Sequence, residues 1–308
     1  MKIIFFGSTD FSLPLLEKLA ENFEIGAVVT ETDKLAGRGN KLTISPIKLF
    51  ALDKKLEIFQ PDKVKNNFEF LETIKNLAPD LIVVAAYGKI LPKELLEIPK
   101  LGCLNIHPSL LPKYRGASPI QTALLNGDAE TGVTFMLMDA GMDSGALLFQ
   151  RKEKVNASDD YNSLSTRLSL ISADLISKVI TDYSAKKITP QPQIDADATF
   201  CKMIAKEDGK IDWTKSAEEI NNQIRAFIRW PGSFTSFNGK KLDILNASAV
   251  ETTETVAPGT VVKINEEIAV VCGNGALVLK QLKLEGKKEC ETKAFVNGYK
   301  DFIGAILK

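Results

Sequence analysis

Three nearly unbroken apolar runs, Lys2–Phe6 (KIIFF), Ile25–Thr30 (IGAVVT) and Leu81–Ala86 (LIVVAA), are separated by helical patterns. No other feature limits the fold so strongly. A strand apolar on both faces has to be covered on both faces, and alternation with helices supplies that cover in a mostly parallel sheet. Leu15, Leu16 and Leu19 mark one covering helix, with Pro14 tolerable only in its first turn. Ser45-Pro46 and Ser118-Pro119 open two more, because serine caps well and proline suits the first helical position. The second of these stops at Asn126-Gly127, and Leu56–Phe59 reads as a further buried strand. The sequence therefore predicts an open α/β fold of Rossmann type, which binds ligands beyond the carboxyl ends of its strands. Gly7-Ser8-Thr9-Asp10 lacks the G-x-G-x-x-G spacing, which argues against a dinucleotide-dependent dehydrogenase.

A chain of 308 residues is long for a single core and suggests two domains. After a strand-rich piece from Val133 to Lys154, the leucine and isoleucine spacing predicts an amphipathic helix over Ser158–Tyr183. Ser158 is its expected cap, and Asp159 and Asp160 favour its dipole. Ile188–Lys210 is rich in proline and polar residues, the composition of a linker. Ser216 and Glu219 form a capping box for a helix through Phe227 that ends before Trp230-Pro231. Beyond Gly232 the hairpin dipeptides Asn238-Gly239 and Asn274-Gly275 punctuate short strand-like runs. These predict a small antiparallel barrel of the oligonucleotide-binding (OB) type, with a final helix over Lys293–Leu307. The expected division is 1–187 for the Rossmann-type domain, 188–207 for the linker and 208–308 for the barrel.

Composition narrows the chemistry. Thirty-nine basic and thirty-nine acidic residues give no net charge, so a nucleic-acid partner would need a local basic face. The four scattered cysteines include no C-x-x-C pair, which argues against zinc and against a disulfide framework. No apolar run approaches the roughly 20 residues of a membrane span, and MKIIFFGSTDF leads straight into a strand. A soluble cytoplasmic protein is expected, with a monomer as the default.

His107 is the chain's single histidine, and Asn105 lies two residues before it. If Leu101–His107 is a strand, both side chains leave the same face, and Pro108 ends the strand beside them. Histidine titrates near neutrality, although an isolated one is more often structural than catalytic. Asp139 and Asp143 lie in a glycine-bracketed turn some thirty residues on, which could be only a hairpin turn. If Asp143 met Asn105 and His107 in space, the set would suit acyl transfer to an external amine. An asparagine or a protonated histidine can donate to an oxyanion, and a carboxylate can orient the imidazole. A single histidine leaves no second one for a serine or cysteine triad, or for a two-histidine metal site.

Phe6-Gly7-Ser8-Thr9-Asp10-Phe11, Asn105-Ile106-His107-Pro108-Ser109-Leu110-Leu111-Pro112, Tyr114-Arg115-Gly116-Ala117, Met142-Asp143-Ser144-Gly145 and Arg229-Trp230-Pro231-Gly232 occur in this order. Together they resemble the methionyl-tRNA formyltransferases, within the 10-formyltetrahydrofolate-dependent formyltransferase family. The resemblance spans nearly the whole chain. It departs mildly at Gly7-Ser8-Thr9, where Gly-Thr-Pro is commoner. It implies Asn105, His107 and Asp143 as a catalytic trio and Ser109, Leu110, Leu111 and Pro112 as the tetrahydrofolate-binding turn. It also implies attack by the α-amine of initiator methionyl-tRNA on the formyl carbon of 10-formyltetrahydrofolate, without a metal.

The polar connection Asp33–Leu42 contains Gly37, Arg38 and Lys41. By composition it could be an ordinary surface loop. The resemblance implies that Arg38, with Gly37 and Lys41, enters the acceptor stem of the tRNA. Lys206 and the barrel lysines could contact phosphates. Arg115 could serve in a loop salt bridge or beside the folate. A sugar-nucleotide N-formyltransferase sharing the first domain, and an RNA-binding protein with an inert first half, are the competing expectations.

Overall fold

The computed structural model describes residues 1–36 and 41–308. They form two compact units. One comprises Met1–Pro119, Glu130–Lys154 and Ser165–Cys201, and the other Ile120–Ala129, Val155–Leu164 and Lys202–Lys308.

In the first stretch the elements are β1 (Lys2–Gly7), α1 (Leu13–Asn22), β2 (Glu24–Val29), β3 (Lys34–Ala36), β4 (Lys41–Thr43) and α2 (Pro46–Asp53). There follow β5 (Ile58–Phe59), α3 (Phe68–Asn76), β6 (Leu81–Ala85), α4 (Lys93–Leu96), β7 (Cys103–His107), β8 (Arg115–Gly116) and α5 (Pro119–Leu125). Next come β9 (Glu130–Leu137), β10 (Leu147–Lys154), α6 (Tyr161–Ser184) and β11 (Phe200–Cys201). The seven-stranded sheet runs β10-β9-β7-β6-β1-β2-β5. Strands β5, β2, β1, β6 and β7 pair in parallel, while β9 and β10 add an antiparallel edge. The predicted apolar strands are its centre: Ile3 to Phe6 and Leu81 to Val83 are buried almost completely. The chain fills one side of β1 with β2 and β5, then returns to the other side with β6, so a crevice opens at their carboxyl ends.

Several local expectations change. Strand β5 covers only Ile58–Phe59 and is half-buried, because it is the sheet's edge. The cap of α6 is Asp160 in place of Ser158: Asp160 Oδ1 accepts from Ser163 N (2.9 Å), and Ser163 Oγ accepts from Asp160 N (3.1 Å). Asp33–Leu42 is only partly irregular, since β3 and β4 pair antiparallel with Leu35 opposite Leu42. Gly37 and Arg38 lie outside the described residues, and of Lys41 only the backbone is described.

The second unit contains α7 (Ala217–Ala226), β12 (Ser233–Phe237), β13 (Lys240–Val250), β14 (Val261–Ile264), β15 (Glu267–Val271), β16 (Ala276–Leu284), β17 (Cys290–Glu291) and α8 (Thr292–Gly298). The sheet order is β12-β13-β16-β15-β14, with β17 on β16. The capping box of α7 forms as read from the sequence, Ser216 Oγ accepting from Glu219 N. The final helix is shorter than predicted, ending at Gly298. From Gly304 to Lys308 the chain instead bonds to both open edges of the sheet. Val261 N donates to Ala305 O (2.9 Å) on the β14 side, and Ser236 N donates to Lys308 O (2.8 Å) on the β12 side. The segment thereby closes the barrel around Phe237, Leu282, Phe295 and Phe302.

Candidate active site

The site sits at the carboxyl end of β7, on residues whose order follows from strand geometry. Asn105 and His107 are two apart in β7, opposite Met136 and Thr134 of β9. Past Pro108 the chain turns through Ser109–Pro112, with a cis Leu111–Pro112 peptide. Thr134 fixes this turn, its hydroxyl donating to Ser109 O (2.6 Å) and accepting from Leu111 N (3.1 Å).

The turn after β9 delivers Asp143. Its backbone is left-handed (φ 49°), as a tight glycine-bracketed turn requires. Gly145 is needed beside it, because a Cβ there would lie 1.7 Å from Leu137 O. Asp143 Oδ2 accepts from Gly116 N at 2.8 Å and stands 3.7 Å from His107 Nδ1. Asp143 Oδ1 is 3.5 Å from Asn105 Nδ2. The three side chains thus converge, with the carboxylate tied by one short bond. The His107 distance is beyond hydrogen-bond range and acts electrostatically.

His107 is 4% exposed. Burial pushes its pKa below the ordinary histidine value, and the Asp143 charge and the Tyr114 carbonyl offset this only in part. The neutral imidazole is therefore favoured. Tyr114 O can only accept, so the Nε2–H donates to it at 2.9 Å and the lone pair remains on Nδ1, toward Asp143. Residue type alone suggests a protonated imidazole donating to an oxyanion. The buried geometry instead presents a neutral ring whose open nitrogen can take a proton, and leaves the Asn105 amide as the more available donor. Cys103 offers no nucleophile, since burial lifts its thiol to about 12. Among the described residues no group of three or more histidine, cysteine or acidic side chains could hold a metal.

A family model for formyl transferases matches residues 1–180, and one for the formyl transferase C-terminal domain matches 203–300. A methionyl-tRNA formyltransferase of Caldanaerobacter subterraneus subsp. tengcongensis is 43% identical over 309 residues, covering 100% of both chains. This chain belongs to the methionyl-tRNA formyltransferase family. A second such formyltransferase, from Caldicellulosiruptor saccharolyticus, is 45% identical over 312 residues and again covers 100% of both. HypX from Aquifex aeolicus, solved in complex with tetrahydrofolic acid, shares the fold with a TM-score of 0.67 at 17% identity. That match covers 98% of this chain and 48% of HypX. As a member of the methionyl-tRNA formyltransferase family, the chain is a formyl-transferring enzyme.

The other residues singled out in this formyltransferase sequence lie as follows. Ser109 is fully buried, and its hydroxyl donates to Lys113 O (2.6 Å) within the turn. Leu111 is buried, so Leu110 and Pro112 are the half-buried members of that turn. Lys206 is exposed in a short 3₁₀ helix of the second unit. Arg115, 5% exposed, is in a loop salt bridge to Asp195 (2.8 Å).

Sequence reasoning missed the groups that hold the site: Tyr114 O, Gly116 N–H and above all Gln193. Residues 191–201, linker-like by composition, lie along the first unit. Gln191 pairs with Leu147, Thr199 Oγ1 accepts from Tyr114 N (2.9 Å), and β11 pairs with β8. The tyrosine, arginine and glycine of the Tyr114–Ala117 motif carried part of that signal. Nothing in TPQPQI distinguishes Gln193 from the neighbouring Gln191.

Proposed function

We propose that this chain formylates initiator methionyl-tRNA from 10-formyltetrahydrofolate, with Asn105, His107 and Asp143 at the reacting centre. The observation that supports it best is their convergence, 3.5 and 3.7 Å from one carboxylate at the mouth of the parallel sheet. The α-amine lone pair attacks the formyl carbon, the carbonyl becomes an oxyanion, and the carbon–nitrogen bond to the folate breaks as that nitrogen regains a proton. The Asn105 amide donates to the oxyanion. His107 Nδ1 accepts the proton the amine releases, and Asp143 stabilises the imidazolium so formed. Ser109–Pro112 form the folate-side turn. They hold the donor through shape, given that the Ser109 hydroxyl is spent within the turn.

The same reading assigns 1–187 to catalysis, 188–207 to connection and 208–308 to tRNA binding. Gly37, Arg38 and Lys41 contact the acceptor stem, and exposed Lys206 is a phosphate contact. The reading takes the protein as a cytoplasmic monomer; among the described residues no helix is long and apolar enough to cross a membrane.

The test supplies 10-formyltetrahydrofolate with initiator methionyl-tRNA, elongator methionyl-tRNA, a nucleotide-linked amino sugar or no acceptor. Formyl-methionyl-tRNA should form, and initiator tRNA should be the better substrate. The His107→Ala variant should lose about 100-fold or more in turnover while keeping tRNA affinity. Formylation of the amino sugar in preference to tRNA, or release of formate without acceptor, would replace this reading.

A further inference from the structure

Asp143 is held through both its side chain and its backbone, and the backbone contact comes from outside every motif discussed so far. Its side chain is fixed by Gly116 N–H. Its own backbone carbonyl accepts from Gln193 Nε2 at 2.8 Å, and the same Nε2 donates to Gly145 O, also at 2.8 Å. Both hydrogens of one amide are thus spent on the two carbonyls that bracket the turn. The amide oxygen is equally committed, accepting from Arg115 Nε (3.1 Å) and Nη2 (2.9 Å). Arg115 immediately precedes Gly116, so Gln193 connects the backbone of Asp143 to the segment that binds its carboxylate. Only one orientation of the amide satisfies all four contacts, because carbonyls cannot donate and a guanidinium cannot accept.

We infer that Gln193 is a positioning residue for formyl transfer, clamping the Asp143 turn so that its carboxylate faces His107. The inference rests on the reading of Asp143 as part of the reacting centre. Asp143 occupies a left-handed conformation that a non-glycine residue leaves readily once its surroundings cease to hold it. The carboxylate has one short bond and is 3.7 Å from Nδ1, so relaxation of the turn carries the charge away from the ring. A displacement of about 1 Å in a reacting group costs on the order of 100-fold in rate.

The experiment compares Gln193→Ala, Gln193→Glu and Asp143→Asn in the full chain, each checked for native circular dichroism. Glutamate keeps an acceptor for Arg115 and removes both donors to the turn, so it separates clamping of Asp143 from anchoring of Arg115. Both Gln193 variants should lower kcat by about 10-fold or more, with KM for the folate donor and for tRNA within about twofold. Because His107 is the chain's single histidine, its imidazole resonance is assignable without ambiguity. Asp143 is the charge acting on that ring among the described residues, and the Tyr114 carbonyl is its other polar neighbour. In Gln193→Ala the resonance should move in the same direction as in Asp143→Asn. Wild-type kcat in Gln193→Glu, or an unmoved His107 resonance in Gln193→Ala, overturns the inference even where Asp143→Asn is inactive. Full activity in Asp143→Asn instead removes the reacting-centre reading beneath it.

Discussion

Burial of an imidazole beside a carboxylate sets two opposing effects against each other at His107, and burial wins. The consequence can be measured in stability as well as turnover. In the unfolded chain the ring titrates near 6.5, while in the folded chain its pKa is lower. As pH falls through about 6.5 the unfolded state takes up a proton that the folded state refuses, so folding stability declines. It is fully present above that value and is lost until the folded ring also titrates. Wild-type protein should therefore lose stability as pH falls below about 6.5, with a slope of up to about 1.4 kcal/mol per pH unit. His107→Gln should be flat there. Urea midpoints across that range decide it, and parallel slopes in the two proteins would contradict the neutral buried ring. The pairing of Asn105 with His107 was legible, because strand periodicity alone puts both on one face. The proton position on the ring was not. It depends on the Tyr114 carbonyl, and a backbone acceptor leaves no trace in residue type.

Elements were legible in proportion to their hydrophobic periodicity. Buried strands β1, β2 and β6 announced themselves, and so did the serine-capped helices α2 and α7. The segment from Gln191 to Cys201 did not. It is held mainly by backbone and side-chain hydrogen bonds, with Cys201 as its one deeply buried residue, so it has no apolar stripe to read. Its contact with β8 is close enough to demand a particular residue. Gly116 has φ 122°, and a Cβ on it would come within 2.3 Å of Cys201 O. Gly116→Ala should thus destabilise the protein by about 2–3 kcal/mol through backbone strain and displacement of β11. It should also reduce turnover, because the same residue's N–H holds Asp143. Denaturant titration with parallel kinetics tests both, and unchanged values would show that β8 and β11 separate at no cost.

At the scale of the whole chain, the order of sheet, connection and barrel was readable from the change in texture after Gly232. The closure of the barrel was not. Periodicity extends the last helix through Leu307, yet Gly298 ends it and the residues beyond Gly304 serve as a strand shared by two edges. What decides between helix and strand here is tertiary. The amides of Val261 and Ser236 donate across the opening to Ala305 O and Lys308 O, and Leu307 enters the barrel core at 3% exposure. An open barrel would leave two edges unpaired. Deleting Gly304–Lys308 should cost about 3 kcal/mol or more, from the lost Leu307 burial and the edge hydrogen bonds at roughly 1 kcal/mol each. Leu307→Ala keeps the backbone pairing and should cost about 2–3 kcal/mol from the cavity alone. If the deletion proved no worse than the point substitution, the side chain alone would account for the closure. A clear excess in the deletion would assign the difference to the backbone bonds that join β12 to β14 through the last five residues.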